Sequence, residues 1–147
     1  MKKFFAKRLK NEKGLTLIEL LAVIVILAII AAIAVPAIGN IIDNSKDSSK
    51  LAAASNILAG AKIAATDGAC EESNDGSITC DKDDLKGYVE NVKEEKGTTL
   101  NYGADKDTDG NWTVTYNGLT NFNSKKYKDE SIASPLAESK LNELLSK

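Results

Sequence analysis

The chain has 147 residues, 19 basic and 21 acidic, and a formal net charge of −2. This length suits one domain of ordinary size. It contains no histidine, which excludes histidine-based catalysis and histidine metal ligation. Residues 1–14 hold six of the basic residues and one acid, so the remainder carries 13 basic and 20 acidic residues. That remainder lacks the cationic clusters that displace counterions from nucleic acid, so no direct nucleic-acid contact is expected.

The first 14 residues form a basic leader ahead of an apolar segment. Lys and Arg side chains that flank an apolar helix stay on the cytoplasmic side of the membrane. The leader therefore predicts that the N-terminus is inside the cell and that the part after the apolar segment is exported.

The apolar segment runs from Leu20 to Ile38 without a charge. Because roughly 20 apolar residues span a bilayer as a helix, it fits a membrane anchor. A secretory signal peptide is a second interpretation, since Ala32 and Ala34 form a small-x-small site, but signal peptides have shorter apolar regions of roughly 7–15 residues. Neither interpretation explains Gly14 or Glu19, which stand just ahead of the segment.

The stretch KGLTLIELLAVIVILAIIAAIAVP resembles the N-terminal signature of type IV pilins and the related pseudopilins. In that signature a basic leader ends in Gly, and an aromatic or apolar residue, Thr, two apolar residues and Glu follow. A long apolar run with a proline near its end completes it. The matching residues are Gly14, Leu15, Thr16, Leu17, Ile18, Glu19 and Pro36. Two positions depart from it: Leu15 stands where Phe is commoner, and Ala28 where a glycine is often found.

The resemblance implies a processing and assembly route. A membrane prepilin peptidase would cut between Gly14 and Leu15 on the cytoplasmic side, and the new N-terminus at Leu15 would be methylated. The mature chain would reside in the cytoplasmic (inner) membrane as a single-pass protein. An assembly platform with its ATPase would then polymerise it with copies of itself into an extracellular pilus on the cell surface.

The predicted role of Glu19 has a physical basis. Cleavage would leave an ammonium at Leu15, and Glu19 lies one helical turn further on. An ionised carboxylate at the edge of hydrocarbon is costly unless it is paired. A pair of unit charges gains about 4 kcal/mol at about 4 Å and an effective dielectric constant of about 20. Glu19 is therefore predicted to neutralise a Leu15 ammonium, its own or a neighbouring subunit's; the alternative is an acid that snorkels to the bilayer interface.

The helical pattern continues beyond the apolar segment. Small and apolar residues recur every three or four positions and predict a stripe that packs against a small domain. The stripe consists of Leu51, Ala54, Leu58, Ala61 and Ala65. One spine helix is predicted from Leu15 to Thr66, ended at Gly68 and kinked near Pro36, which lacks an N–H and clashes with the preceding turn.

This pattern divides the chain into three parts. Residues 1–14 are the cleaved leader, and residues 15–42 are the transmembrane and filament-core half of the spine helix. Residues 43–147 are the rest of that helix and a globular head. The predicted fold class is α+β, a long spine helix that carries a head with a short β-sheet and short helices.

Cys70 and Cys80 lie in a polar loop of the exported part and are the only cysteines. An isolated close pair in an oxidising space predicts a disulfide.

Four further elements are predicted in the head. Residues 83–92 suggest a short helix with Leu85, Tyr88, Val89 and Val92 on one face. Residues 98–103 and 111–118 are rich in Thr, Tyr, Trp and Val and predict strands. A C-terminal helix is expected with Ser134 as N-cap and Pro135 at its first position. Its apolar side consists of Leu141, Leu144 and Leu145.

An acidic segment separates the two strands. Asp105, Asp107 and Asp109 follow the pattern D-x-D-x-D-G that opens a calcium loop. The twelfth position is Tyr116, where an EF-hand has a bidentate Glu, so an EF-hand is rejected. An acidic hairpin turn and a looser calcium loop both remain open, the latter because related secretion pseudopilins can carry calcium in the head. No other cofactor is predicted.

The sequence bears on three classes of function. The resemblance favours a structural subunit, the major pilin of a type IV pilus. The alternative is a pseudopilin of a competence (DNA-uptake) or type II-like secretion system. An enzyme tethered by its anchor finds no support, because the sequence shows no nucleophile and base in a catalytic pattern.

Overall fold

The computed structural model describes residues 2–90, 92, 99–120, 122–128, 130 and 132–147, with side chains from residue 17 onward. Within this described part the chain forms two helices and five strands, and the predicted α+β class is confirmed. In chain order they are α1 (Lys2–Thr66), β1 (Glu71–Glu72), β2 (Ile78–Cys80), β3 (Tyr102–Lys106), β4 (Trp112–Tyr116), β5 (Leu136–Ala137) and α2 (Glu138–Leu145). The chain divides into two compact units, Met1–Ile41 and Ile42–Lys147.

Helix α1 ends where the sequence predicts. Gly68 adopts φ 73°, a left-handed conformation that residues with a Cβ avoid. Its N–H donates to the Ala65 carbonyl at 3.2 Å, and the Ala69 N–H donates to the Ala64 carbonyl at 2.9 Å. This pair of hydrogen bonds is the Schellman arrangement, which satisfies the last carbonyl groups of a helix.

The predicted stripe on α1 forms part of the core of the second unit. Leu51, Ala54 and Ala61 are fully buried, whereas Ala65 is only half-buried. Two residues that the stripe did not include, Ile57 and Ala64, are also fully buried. The small side chains of Ala54, Ala61 and Ala64 allow close approach of the elements packed against α1.

The sheet of the second unit is antiparallel throughout, in the order β1-β2-β3-β4-β5. Val114 lies opposite Ala104 on one side and Leu136 on the other. All three are buried, and they join the α1 stripe in one hydrophobic cluster. Tyr116 is buried two positions after Val114, as the period of two in a strand requires.

The C-terminal helix begins later than predicted. Leu136 and Ala137 pair with β4 and are therefore extended, and α2 starts at Glu138 with Ala137 as its N-cap residue. Ser134 is not the N-cap; its hydroxyl oxygen accepts a hydrogen bond from the Tyr116 N–H at 3.0 Å. Leu141 and Leu144 are buried as predicted, but Leu145 is 42% exposed.

The predicted helix at residues 83–92 is wrong. The described residues form turns, in which the Leu85 N–H donates to the Asp81 carbonyl and the Tyr88 N–H donates to the Leu85 carbonyl, both at 3.0 Å. Gly87 has φ 100°, which a right-handed helix cannot accommodate. Leu85 is still fully buried, and a hydrogen bond to the Asp67 carboxylate raises the pKa of the Tyr88 phenol.

The strands are shifted relative to the sequence pattern. Of the predicted strand at 98–103, only its last two residues belong to β3, which continues to Lys106; Thr98 lies outside the described residues. The predicted strand at 111–118 contains β4 and is confirmed. The pairing of β3 with β2 explains why β3 continues to Lys106, because Lys106 lies opposite Ile78 of β2. The polar loop between the cysteines also contains a hairpin, β1–β2, that the sequence did not predict.

Candidate assembly site

The residues of the predicted processing and assembly site lie on consecutive turns of α1. The Gly14–Leu15 peptide bond, where the predicted cleavage falls, lies within α1. Glu19 follows Leu15 by four residues, which is about one turn or about 6 Å along the axis. The Glu19 side chain is exposed. This spacing places an acid one turn from the amine that cleavage would create.

The helix beyond Glu19 is apolar on every side. Its large side chains from Leu17 to Ile42 are all exposed, from 46% at Ile42 to 71% at Ile33. By length and composition, the helix from Leu17 onward can cross a membrane. A helix without a polar face needs an apolar environment all round, either lipid or other helices.

Pro36 lies inside α1, and the helix continues on both sides of it. Its neighbours Val35 and Ile38 are exposed. In a membrane helix, other groups can satisfy the carbonyl that proline leaves unpaired. The kink predicted near Pro36 stays a prediction.

The N-terminal region matches one protein-family model. Residues 9–35 match the prokaryotic N-terminal methylation motif. The chain carries the type IV pilin signature. The signature supports a precursor of the type IV pilin or pseudopilin kind, a structural subunit that a prepilin peptidase processes for filament assembly. No curated protein and no solved structure matches the chain.

The family-model match at residues 9–35 covers Gly14, Leu15 and Glu19 but ends one residue before Pro36. Together with the long apolar helix, it is consistent with membrane anchoring before assembly. The cleavage point, the methylated residue and the pairing of Glu19 stay predictions.

The second unit contains the predicted disulfide. Cys70 is bonded to Cys80, with their Cα atoms 4.7 Å apart. The bond connects the chain just after α1 to the end of β2. Closing a loop over a separation of 10 residues constrains the unfolded chain by about 2.5–3 kcal/mol in the loop-entropy model.

The acidic segment forms the hairpin turn between β3 and β4. The Gly110 N–H donates to the Asp107 carbonyl at 3.1 Å. The Asp107 carboxylate accepts from the Asn111 backbone N–H at 2.7 Å and from its side-chain amide at 3.0 Å. These hydrogen bonds lower the pKa of Asp107, and the hydrogen bond from the Asn111 side chain has the largest effect.

The same aspartates do not come together around one point. Asp105 lies in β3 opposite Thr113, while Asp107 and Asp109 lie in the exposed turn. Among the described residues, no three acidic or cysteine side chains are grouped to hold a metal ion. Calcium binding at these aspartates stays a prediction.

Asp47 is a buried structural residue of α1 that the sequence analysis missed. It is 1% exposed, although it is charged. One carboxylate oxygen accepts from the Ser124 N–H at 2.7 Å and from the Asn123 N–H at 2.9 Å. Asp47 lies four residues before Leu51, so it extends the apolar stripe by one turn. A charge in register with that stripe was the signal that could have identified it.

Two neighbours of Asp47 strengthen this attachment. Ser48 and the Tyr127 hydroxyl are 3.3 Å apart, and the Lys50 ammonium donates to the Thr120 carbonyl at 2.8 Å. Lys50 also lies 5.4 Å from the centre of the Phe122 ring. Three nearby positions of α1 thus hold the segment that follows β4.

Proposed function

We propose that this protein is the major subunit of a type IV pilus, assembled through its N-terminal helix into a surface filament. The observation that carries the proposal is the exposed apolar helix of residues 17–42, whose first part lies within the match to the N-terminal methylation motif at residues 9–35. A pilin needs a helix that is apolar on every side, because this helix lies in lipid before assembly and among the helices of other subunits afterwards.

Processing prepares the helix for assembly. Removal of residues 1–14 takes away six cationic side chains and leaves an amine at Leu15. Glu19 then pairs with the Leu15 amine of a neighbouring subunit, which sets the axial position of one helix against the next. Without that partner, the carboxylate would enter the filament core unpaired at a high cost.

The second unit suits the exterior of a filament. It has its own core, its disulfide needs an oxidising space, and the chain after residue 14 carries a net charge of −7. That charge supports a structural role over direct contact with DNA.

Two measurements on cells that express the protein test the proposal. Electron microscopy of cells with and without the gene should show that filaments depend on it. Sheared filaments should contain a chain that begins at Leu15 and has the added mass of an N-methyl group.

The other outcomes identify the alternatives. Loss of DNA uptake or of secretion in the deletion strain, with no filament in either strain, would indicate a pseudopilin. A mature chain that begins at Val35 would indicate a signal peptide and overturn the proposal.

A further inference from the structure

The proposed function leaves one sequence motif of the head unused. Of the 12 asparagines, Asn111 alone is followed two positions later by Ser or Thr, in Asn111-Trp112-Thr113. This pattern, with any residue but proline in the middle, is the acceptor for N-linked glycosylation and belongs on a surface loop of an exported protein.

The structure places the motif on such a loop. Asn111 is the last residue of the turn 107–111 between β3 and β4, and all five residues of that turn are exposed. The turn belongs to the second unit, which the proposed topology puts outside the cell.

The local hydrogen bonds are compatible with a modified asparagine. The Asn111 side-chain nitrogen donates to the two Asp107 carboxylate oxygens, at 3.0 and 3.4 Å. A carboxamide nitrogen carries two hydrogens, and a glycosidic bond replaces only one of them. The remaining N–H can still donate to Asp107, so the turn can keep its geometry.

A groove next to Asn111 has the chemistry to hold a first sugar. It has a volume of about 430 Å³, and Asn111 and Trp112 both line it. Ser139 and Asn142 of α2 supply a hydroxyl and an amide on the same groove. An aromatic ring with a few polar groups suits a ring-shaped ligand with hydroxyls, because the ring covers its C–H face and the polar groups bind the hydroxyls.

We propose that Asn111 is N-glycosylated outside the membrane, an inference that rests on the export included in the proposed function. The donor is an oligosaccharide linked to a lipid pyrophosphate, and a membrane transferase catalyses the step. The side-chain nitrogen attacks the anomeric carbon, and a C–N bond forms as the C–O bond to the pyrophosphate breaks. The lipid pyrophosphate leaves, and the amide proton passes to a base of the transferase.

Peptide mass spectrometry of the protein from its native cells tests the inference. Trypsin cuts after Lys106 and Lys125, which releases residues 107–125. The expected result is a sugar mass on this peptide that fragmentation assigns to Asn111. Asn117 lies in the same peptide outside the motif and should be unmodified, as an internal control.

Variants of the motif separate glycosylation from an effect on folding. Thr113→Ala should remove the sugar mass, whereas Thr113→Ser should keep it, because the hydroxyl remains. Thr115→Ala is a matched control, since Thr115 is half-buried on the same strand but lies outside the motif; it should keep the modification.

Two results would overturn the inference: an unmodified peptide in native protein, or a sugar that persists at Asn111 in Thr113→Ala. Filament yield is scored separately. If filaments form but Asn111 carries no sugar, the glycosylation proposal is wrong and the pilus proposal stands. If Asn111 is glycosylated but no filament forms, the pilus proposal is wrong and the glycosylation proposal stands.

Discussion

The two halves of helix α1 place their apolar residues in opposite surroundings. From Leu17 to Ile42, every large apolar side chain is at least 46% exposed. From Leu51 to Ala64, apolar residues recur every three or four positions and are buried within the chain. Both the number and the arrangement of apolar residues differ: Ala, Val, Ile and Leu make up 22 of the 26 residues at 17–42 but 11 of the 24 residues at 43–66, where the buried ones form a stripe. An apolar stripe finds its partner in its own domain, whereas a helix that is apolar all round must find partners outside it.

This comparison separates two kinds of mutation. Substitutions in the first half should change assembly and leave unfolding of the head unchanged. Substitutions in the head should change its unfolding. The single Trp112 lies in the head, so its fluorescence in the detergent-solubilised chain reports unfolding of that unit alone.

The largest effect is expected for Glu19→Val. Membrane insertion and cleavage should persist, because the segment becomes more apolar and Gly14 is untouched. Filament yield should collapse, because the Leu15 ammonium would enter an apolar bundle without its partner, at about 3–5 kcal/mol per subunit. Glu19→Asp should be intermediate, since it keeps the charge and shortens the reach. The measurement is the ratio of sheared filaments to processed membrane protein.

Head unfolding is the control for the Glu19 variants, and its midpoint should not move. A normal filament yield from Glu19→Val would show that Glu19 is only an acid at the bilayer interface and would contradict its proposed role in assembly.

In the head, Asp47→Ala should lower the free energy of unfolding by about 1.5–3 kcal/mol, because hydrogen bonds to a charged acceptor are lost and the buried Ser124 N–H is left unpaired. Asp43→Ala, one turn earlier, is the matched control. Asp43 is half-buried, and its carboxylate makes no hydrogen bond or ion pair within the described part of the chain. Urea unfolding followed by Trp112 fluorescence measures both. Equal midpoints for the two variants would contradict the role assigned to Asp47.

Two glycines of α1, one in each half of the helix, allow the same substitution to be compared in both halves. A Cβ on Gly60 would lie 2.9 Å from the Tyr88 carbonyl oxygen and would also meet the Val89 side chain, so Gly60→Ala should cost about 1–3 kcal/mol of head stability. A Cβ on Gly39 would meet nothing within 4 Å. Gly39→Ala should therefore leave unfolding of the head unchanged.

Thermal unfolding of the two glycine variants provides the measurement. A wild-type melting temperature for Gly60→Ala would show that residues 88–89 do not need the space that the glycine leaves.

The smallest effect concerns the exposed turn. Asn111 holds the pKa of Asp107 below its ordinary value of 3.8. Because the folded pKa is lowered, the carboxylate stabilises the turn above that ordinary value, and this contribution is lost as pH falls through the lowered pKa. In Asn111→Ala the pKa of Asp107 should rise toward 3.8, as a carboxyl carbon NMR titration would show.

Asp75 is the internal control for this titration. Hydrogen bonds from Ser77 lower its pKa, so the Asn111 substitution should not affect it. An unchanged pKa of Asp107, or an equal rise at Asp75, would contradict the assignment.

Several features of the protein follow from local patterns in its sequence. The pilin signature, the apolar segment and the stripe from Leu51 to Ala61 depend on spacing along one helix. The end of α1 depends on one glycine that tolerates a positive φ. The Cys70–Cys80 bond follows from two cysteines close in sequence. Each of these signals acts over a few residues, and no partner from a distant part of the chain is needed to interpret it.

Other features were decided by tertiary structure. Leu136 and Ala137 resemble the start of a helix, but β4 offers them backbone hydrogen bonds and they become β5. Residues 83–89 have a helical apolar spacing, but Gly87 and the burial of Leu85 favour turns. Asp47 resembles a solvent-exposed acid until the backbone N–H groups of residues 123 and 124 surround it. In each case the local preference is worth a kilocalorie or less, and partners that only the folded chain supplies outweigh it.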